Sequence, residues 1–270
     1  FDERLLGAFM PHLRFVAGMG AGFDHVDLDY LTDNGVIYAN TPFAVSDPTA
    51  TTTIQLIFQT VRAASQAEAV VRRGEWRRGL TSTPDVRDMT IGIVGMGTIG
   101  KLVERKLDAL GYRTVYHNRR PLPPNGSSEY VSFDELLEVA DIISIHCPLN
   151  DDSHHMFSDA EFDRMKDGVF IINTARGSVV DEKALVRAMK SGKVSRVGLD
   201  VFEREPEIDP YLLASERATL LPHWATHTTR TQRETEREML ANFKKWLHTG
   251  RPTTPVNDIA LPLQPLSRHW

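Results

Sequence analysis

Short β-branched runs alternate with amphipathic stretches through the middle of the chain, the pattern of a parallel sheet covered by helices. Thr90–Val94 reads as a strand, and Thr98–Leu110 as a helix with Ile99, Leu102, Val103, Leu107 and Leu110 on one face. Gly111 follows as a helix-ending glycine. Arg113–His117, Asp141–His146, Val169–Asn173 and Val194–Asp200 read as further strands. Ser132 with Glu135, and Ser158 with Glu161, have capping-box spacing; Val131 with Leu136, and Phe157 with Phe162, are placed as hydrophobic staples. The first of these helices is expected to run to about Val139 and the second to stop near Gly168. Asp181 is positioned to cap a helix through Met189. The linkers are short, so residues 85–228 read as one α/β unit.

The flanks have a different pattern. Phe15–Ala17 is a short apolar strand that leads into Gly18-Met19-Gly20-Ala21-Gly22, and Val36–Tyr38 is a second. Residues 49–72 read as one long helix, with Ile54, Leu56, Ile57, Phe58 and Val61 making it apolar on more than one side. Thr231–Leu247 reads as an amphipathic helix whose inner stripe is Leu240, Phe243 and Leu247. The proline-rich tail from Arg251 is expected to run over the surface or to be disordered.

Composition narrows the function. With 31 Lys+Arg against 36 Asp+Glu, the net charge of −5 lacks the basic surplus that phosphate-backbone binding requires, which argues against nucleic acid as a partner. It gives no attraction to an anionic membrane either. No apolar run approaches the ~20 residues of a membrane helix. Cys147 is the single cysteine, which excludes an intrachain disulfide and a four-thiolate zinc site. The opening residues have no signal-peptide pattern, although the first is Phe1 and not Met; a soluble cytoplasmic protein is the expectation. No metal site stands out, because His154 and His155 are adjacent.

Gly95-Met96-Gly97-Thr98-Ile99-Gly100 matches G-x-G-x-x-G where a strand gives way to a helix, the context that makes this motif a dinucleotide fingerprint. Gly95 allows the tight turn, Gly97 the approach of a pyrophosphate, and Gly100 close helix–strand packing. The helix N-terminus supplies N–H groups and partial positive charge to the anion. The next strand ends in His117-Asn118-Arg119-Arg120, without the carboxylate that would bind a ribose 2′-hydroxyl. Arg119 and Arg120 suit a 2′-phosphate, so NADP(H) is preferred and NAD(H) is the alternative cofactor.

Arg176 follows a strand in Asn173-Thr174-Ala175-Arg176-Gly177, a position that faces the ligand crevice of an open α/β sheet. Gly198-Leu199-Asp200-Val201-Phe202 leads to Glu203-Arg204-Glu205-Pro206, and Leu221-Pro222-His223 follows. Arg, Glu and His together suit carbonyl reduction: the arginine grips a carboxylate, the histidine exchanges the proton, and the glutamate favours the protonated imidazole.

From Gly20 to Asn257 the chain resembles the D-isomer-specific 2-hydroxyacid dehydrogenases, most specifically over Asn173–Asp181 and Gly198–Pro206. The resemblance implies an α/β fold: a Rossmann-type doubly wound parallel sheet with an incomplete flavodoxin-like substrate domain. The expected divisions are residues 1–48 (partial substrate domain), 49–228 (cofactor domain) and 229–270 (returning helix and tail). It implies catalytic roles for Arg176, Glu205 and His223, with Glu203 as the rival glutamate and His227 a further histidine outside the motif position. The backbone of Ala21 and Gly22 is implied in substrate binding, and Thr98, Ile99, Cys147, Pro148, Thr174 and Asp200 in cofactor contacts. Asn118 and the two arginines point to the glyoxylate/hydroxypyruvate reductase branch.

The resemblance further implies a homodimer through the helix at 49–72. Family members carry β/α units ahead of the segment that begins here at Phe1, so part of the substrate domain is expected to be missing. Trp224 departs from the family's small, glycine-containing pattern after the histidine, which keeps open a D-mandelate-type pocket for an aromatic 2-oxo acid. A dinucleotide-sensing corepressor-like protein is the alternative from another class.

Overall fold

The computed structural model describes residues 1–123 and 126–259. They fall into two units, Phe1–Pro48 with the chain from Thr226 onward, and Thr49–Ala225. The strands are β1 (Phe15–Ala17), β2 (Ile37–Ala39), β3 (Thr90–Val94), β4 (Arg113–His117), β5 (Glu129–Tyr130), β6 (Ile142–Ile145), β7 (Val169–Asn173), β8 (Val194–Leu199) and β9 (Ala218–Leu220). The α-helices are α1 (Glu3–Leu6), α2 (Leu28–Asp33), α3 (Pro42–Val61), α4 (Ala64–Arg72), α5 (Thr98–Ala109), α6 (Phe133–Val139), α7 (Asp159–Arg164), α8 (Glu182–Ser191), α9 (Pro210–Ala214) and α10 (Thr229–Thr249).

The second unit is built on a parallel sheet of order β5-β4-β3-β6-β7-β8-β9. Successive strand residues divide between its two faces. Ile91, Ile93, Ile142, Phe170 and Ile172 pack with Leu56, Ile57 and Val61 of α3 and Val103 and Leu107 of α5. Val94, Ile143, Ile145, Ile171 and Val197 pack with Leu136, Phe162, Leu185 and Met189 from α6, α7 and α8. Burial on both faces explains why these strands read as continuous apolar runs. The order reverses between β3 and β6, which opens a crevice beyond their carboxyl ends.

Local signals hold at the helix starts. Ser132 Oγ accepts the Glu135 N–H at 3.1 Å, the Glu161 carboxylate accepts the Ser158 N–H at 3.0 Å, and Asp181 accepts the Ala184 N–H at 2.9 Å. The staple residues Val131, Leu136, Phe157 and Phe162 are all buried. The helix expected to stop near Gly168 ends earlier, at Arg164, where Met165 turns extended. β5 and β9, of two and three residues, are too short to be seen as sequence periodicity. Leu110 lies at the exposed end of α5 and leaves its apolar stripe.

The helix expected over residues 49–72 is two helices. α3 starts at Pro42, and Ala63, at φ 49°, breaks the helical path before α4. The apolar surplus of α3 is used inside the second unit, where Leu56, Ile57 and Val61 are fully buried. Val71 and Trp76 are the large apolar side chains left exposed around α4. Among the described residues no helix is long and apolar enough to cross a membrane.

The first unit corrects another expectation. On α10 the inward residues are Thr231, Thr235 and Asn242, while Leu240, Phe243 and Leu247 are exposed. The inner face is polar because Asn242 ties the residue after β2 to the segment that follows α10. Its Nδ2 donates to the Asn40 carbonyl at 3.0 Å, and its Oδ1 accepts from the Thr253 N–H at 2.8 Å and the Thr254 N–H at 3.1 Å. The start of the tail is tied to β2: the Val256 N–H donates to the Tyr38 carbonyl, and Asn257 Oδ1 accepts the Tyr38 N–H. The tail beyond residue 259 lies outside the described residues. β1 and β2 pair in parallel, with Leu31, Val36 and Tyr38 in the core beneath.

Replacing Asn242 with Ala orphans buried backbone groups, each worth about 1–3 kcal/mol. Urea unfolding of N242A is expected to show a loss of about 2 kcal/mol or more, and an unchanged midpoint would contradict this anchoring role.

Candidate active site

The site begins at the carboxyl ends of β3, β6, β7 and β8. Gly95 leaves β3 with φ 97°, and a Cβ there would lie 2.6 Å from the Cys147 backbone nitrogen. The turn after β3 therefore lies against the first residues after β6, at the point where the strand order reverses. Gly97 is the N-cap of α5 and contributes no side-chain cap bond, so the first turn at Thr98 and Ile99 has no side-chain acceptor from the cap. A Cβ on Gly97 would enter open space, whereas one on Gly100 would collide with the Gly95 carbonyl. This open, uncapped helix start fits a pyrophosphate.

Asn118 is turned to that loop: its Oδ1 accepts the Met96 N–H at 3.4 Å, while the His117 carbonyl accepts the Gly95 N–H at 3.0 Å. Arg119 and Arg120 are exposed beyond the end of β4, Arg119 standing 3.4 Å from the equally exposed Asp152. Burial pushes the Cys147 thiol up to about 11, which favours the protonated thiol. Pro148 accepts a bond from Ser153 Oγ on its carbonyl, and Thr174 Oγ1 lies 2.9 Å from Thr53 Oγ1.

A short ladder joins the next three loops. Asn173 closes an Asx-type turn: its Oδ1 accepts the Ala175 N–H and its Nδ2 donates to the Arg176 carbonyl, both at 2.9 Å. The Asp200 N–H donates to the Asn173 carbonyl at 2.9 Å, and the His223 N–H to the Asp200 carbonyl at 2.8 Å. The Asp200 carboxylate accepts the Trp224 N–H at 2.6 Å and the Ala225 N–H at 3.0 Å. Burial raises its proton affinity, and the two N–H bonds oppose that effect.

The ladder sets His223 in a left-handed conformation, φ 53°, with its side chain about half exposed. Its Nδ1 lies 2.8 Å from Glu205 Oε2, and the other Glu205 oxygen accepts the Phe202 N–H at 3.0 Å. With Nδ1 paired to a carboxylate, Nε2 is the ring atom left for proton exchange. Arg176 is extended and partly buried, and its Nη1 donates to the Ala175 carbonyl at 2.8 Å. Gly177 backs against the Phe202 peptide so closely that a Cβ would collide with it. Arg176, Asp200, Glu205 and His223 thus lie on loops tied to one another.

The geometry separates the two glutamates. Glu203 turns to α8, where its Oε2 accepts the Glu182 N–H at 3.1 Å, so Glu205 alone of the pair is bonded to His223. Ala21 and Gly22 lie in the first unit, where the Ala21 carbonyl accepts from Asn40 Nδ2 at 2.8 Å. His227 also belongs to the first unit. Among the described residues no group of three or more His, Cys, Asp and Glu is arranged to hold a metal. Sequence reasoning gave Asn173 no role, although an asparagine closing a strand is the usual signal for the turn it makes.

Fold and loops together define an oxidoreductase using NAD(P). Residues 54–225 match the sequence profile of the D-isomer specific 2-hydroxyacid dehydrogenase NAD binding domain. A 2-hydroxyacid dehydrogenase homologue of Schizosaccharomyces pombe is 44% identical over 261 residues, 95% of this chain and 77% of its own length. The crystal structure of a glyoxylate reductase from Paecilomyes thermophila superposes with a TM-score of 0.91 at 44% identity, covering 95% of this chain and 79% of that one. An NADPH-dependent glyoxylate/hydroxypyruvate reductase from Sinorhizobium meliloti, in complex with NADP and malonate, gives a TM-score of 0.88 at 33% identity, with 93% and 80% covered. The chain belongs to the D-isomer-specific 2-hydroxyacid dehydrogenases.

His146, beside Cys147, makes the stability of the fold depend on pH. Burial lowers it from an ordinary value of 6.5 to about 4, and its Nε2 lies 2.8 Å from Ser144 Oγ. The unfolded chain therefore binds a proton below 6.5 that the fold does not take up until about 4. Stability is fully present above that window and falls on acidification through it, by up to about 1.4 kcal/mol per pH unit for this one proton. Unfolding midpoints measured across the window are expected to show a shallower slope in His146→Gln; an unchanged slope would contradict it.

Proposed function

We propose that this protein reduces a short 2-oxo acid of the glyoxylate or hydroxypyruvate type to the D-2-hydroxy acid, with NADPH preferred over NADH. The observation that carries this reading is the Glu205–His223 pair at 2.8 Å, on a loop tied through Asp200 and Asn173 to the loop of Arg176. A reduced nicotinamide, when bound, supplies the hydride. Gly95, Gly97 and the first turn of α5 hold the pyrophosphate, and Arg119 and Arg120 face the 2′-phosphate. Cys147, Pro148, Thr174 and Asp200 border the same crevice.

Arg176 binds the substrate carboxylate and orients the carbonyl beside it. His223 holds a proton at Nε2 and passes it to the carbonyl oxygen as negative charge develops there. Glu205 favours the protonated ring and fixes its orientation through Nδ1. Trp224, directly after His223 and 49% exposed, favours an aromatic 2-oxo acid as a second reading of the substrate. Exposed Val71 and Trp76 supply an apolar surface for the proposed homodimer, which light scattering tests.

Initial rates of NADPH and NADH oxidation with glyoxylate, hydroxypyruvate and phenylglyoxylate test the proposal directly. Turnover of the two short acids with NADPH in preference is expected; a preference for phenylglyoxylate would favour the aromatic reading. His223→Asn is expected to lower kcat by about 10²–10⁴-fold, the usual worth of a positioned proton donor. Arg176→Ala is expected to raise KM and lower kcat together, and unchanged kinetics would remove it from the site. Converting Arg119 and Arg120 to Ser is expected to cost NADPH about tenfold or more relative to NADH, since each charge-assisted bond is worth about 1.5–3 kcal/mol.

A further inference from the structure

His155 is the residue on these loops for which neither the fold nor the proposed chemistry accounts. It lies in the connection after β6 at φ 52°, a left-handed conformation uncommon outside glycine, and Gly or Asn would adopt it at less cost. Its ring Nε2 is shielded from solvent and makes no hydrogen bond among the described residues. A buried polar atom without such a bond is destabilising, so its retention calls for a physical reason.

The contacts of this one residue reach two loops at once. Its backbone N–H donates to the Ser178 carbonyl at 2.8 Å, two residues beyond Arg176, and the Phe157 N–H continues to the Val179 carbonyl at 3.1 Å. Its Nε2 stands 3.4 Å from Glu203 Oε1, an ion-pair distance. Glu203 is itself held by α8, donating its N–H to Glu182 Oε2 at 3.3 Å and accepting the Glu182 N–H at 3.1 Å. The residue before it, Phe202, packs on Gly177 and donates its N–H to Glu205.

We infer that His155 is a positioning residue for the reaction: it clasps the arginine loop to the glutamate loop and, through Glu203 and the Phe202 peptide, holds Glu205 against His223. This rests on the catalytic reading of Glu205 and His223 given above. The charged and titratable groups around the clasp are His154, stacked on His155 with ring centroids 4.0 Å apart, Glu203 from the loop after β8, and Glu182 from α8. Glu182 also accepts the Asp209 N–H at 3.2 Å. Around His223 they are Glu205 and Asp200. Loss of the clasp leaves the imidazole its partner but loosens the grip, so the protonated ring is less favoured.

The test is the pH profile of kcat/KM for glyoxylate reduction by the full chain with NADPH, for His155→Ala, His155→Asn and Glu203→Gln, beside His223→Asn. His155→Ala is expected to lower kcat/KM about tenfold, the scale of a small misplacement of reacting groups. The alkaline limb of the profile is expected to move about half a unit to lower pH, because the opposite charge that favours the protonated form is less well placed. Glu203→Gln is expected to move the limb the same way. His155→Asn suits the left-handed backbone and keeps a donor, so it should recover most of the rate. NADPH binding followed by fluorescence reports whether each variant is folded, and if His155→Ala does not fold, Glu203→Gln decides. An alkaline limb unmoved in folded His155→Ala and Glu203→Gln, with His223→Asn inactive, overturns the clasp and leaves the catalytic reading standing. An active His223→Asn overturns both.

Discussion

Asp200 holds together the end of the second unit that carries Arg176, Glu205 and His223. Its backbone joins Asn173 on one side to His223 on the other, and its buried carboxylate accepts the next two N–H groups of the His223 loop. A left-handed non-glycine residue costs about 1–3 kcal/mol. Hydrogen bonds to a charged acceptor contribute about 1.5–3 kcal/mol each, so the two from Trp224 and Ala225 offset the conformation of His223. The loop is over-determined by bonds that water cannot easily replace, because Asp200 is 1% exposed. The imidazole is thus aimed at Glu205 by its backbone, before any side-chain contact is counted.

The same principle acts at the other end of the crevice by different means. Gly95 brings the loop after β3 onto the backbone at Cys147, and Asn118 spends its side-chain oxygen on Met96. The side chain at the end of β4 is thereby committed to the shape of the glycine loop after β3. On the proposed reading, recognition of anything beyond the ribose passes to the arginines that follow. The parallel sheet makes this arrangement possible, since all of its strands deliver their carboxyl ends to one edge.

Features written in local sequence were legible. The capping residues Ser132, Ser158 and Asp181, the staples, and the glycine pattern at 95–100 each depend on residues within a few positions. Features that depend on distant partners were not. The inner face of α10 is polar because Asn242 bonds to Asn40 across 202 positions, and no periodicity in 231–247 encodes that. The break at Ala63 has no glycine or proline to announce it. Family pattern favours Glu205 over Glu203, whereas the bond that turns Glu203 to α8 joins it to Glu182, 21 positions away, and no local pattern announces it. Asp200 and Asn173 stood inside motifs, yet their joint role as a ladder between three loops has no one-dimensional signature.

The two halves of the crevice differ in how they meet solvent, and this gives them different sensitivities. Arg119 and its neighbour Asp152 keep 79% and 77% of their side chains exposed, so any phosphate held there is held by charges that salt screens. Asp200 and Asn173, by contrast, are almost wholly buried, and their hydrogen bonds lie beyond the reach of mobile ions. On the proposed reading, cofactor choice rests on exposed electrostatics while proton transfer rests on buried geometry. Changes of charge along 117–120 can then retune the cofactor without disturbing His223, since no hydrogen bond of the Asn173–Asp200–His223 ladder passes through that loop.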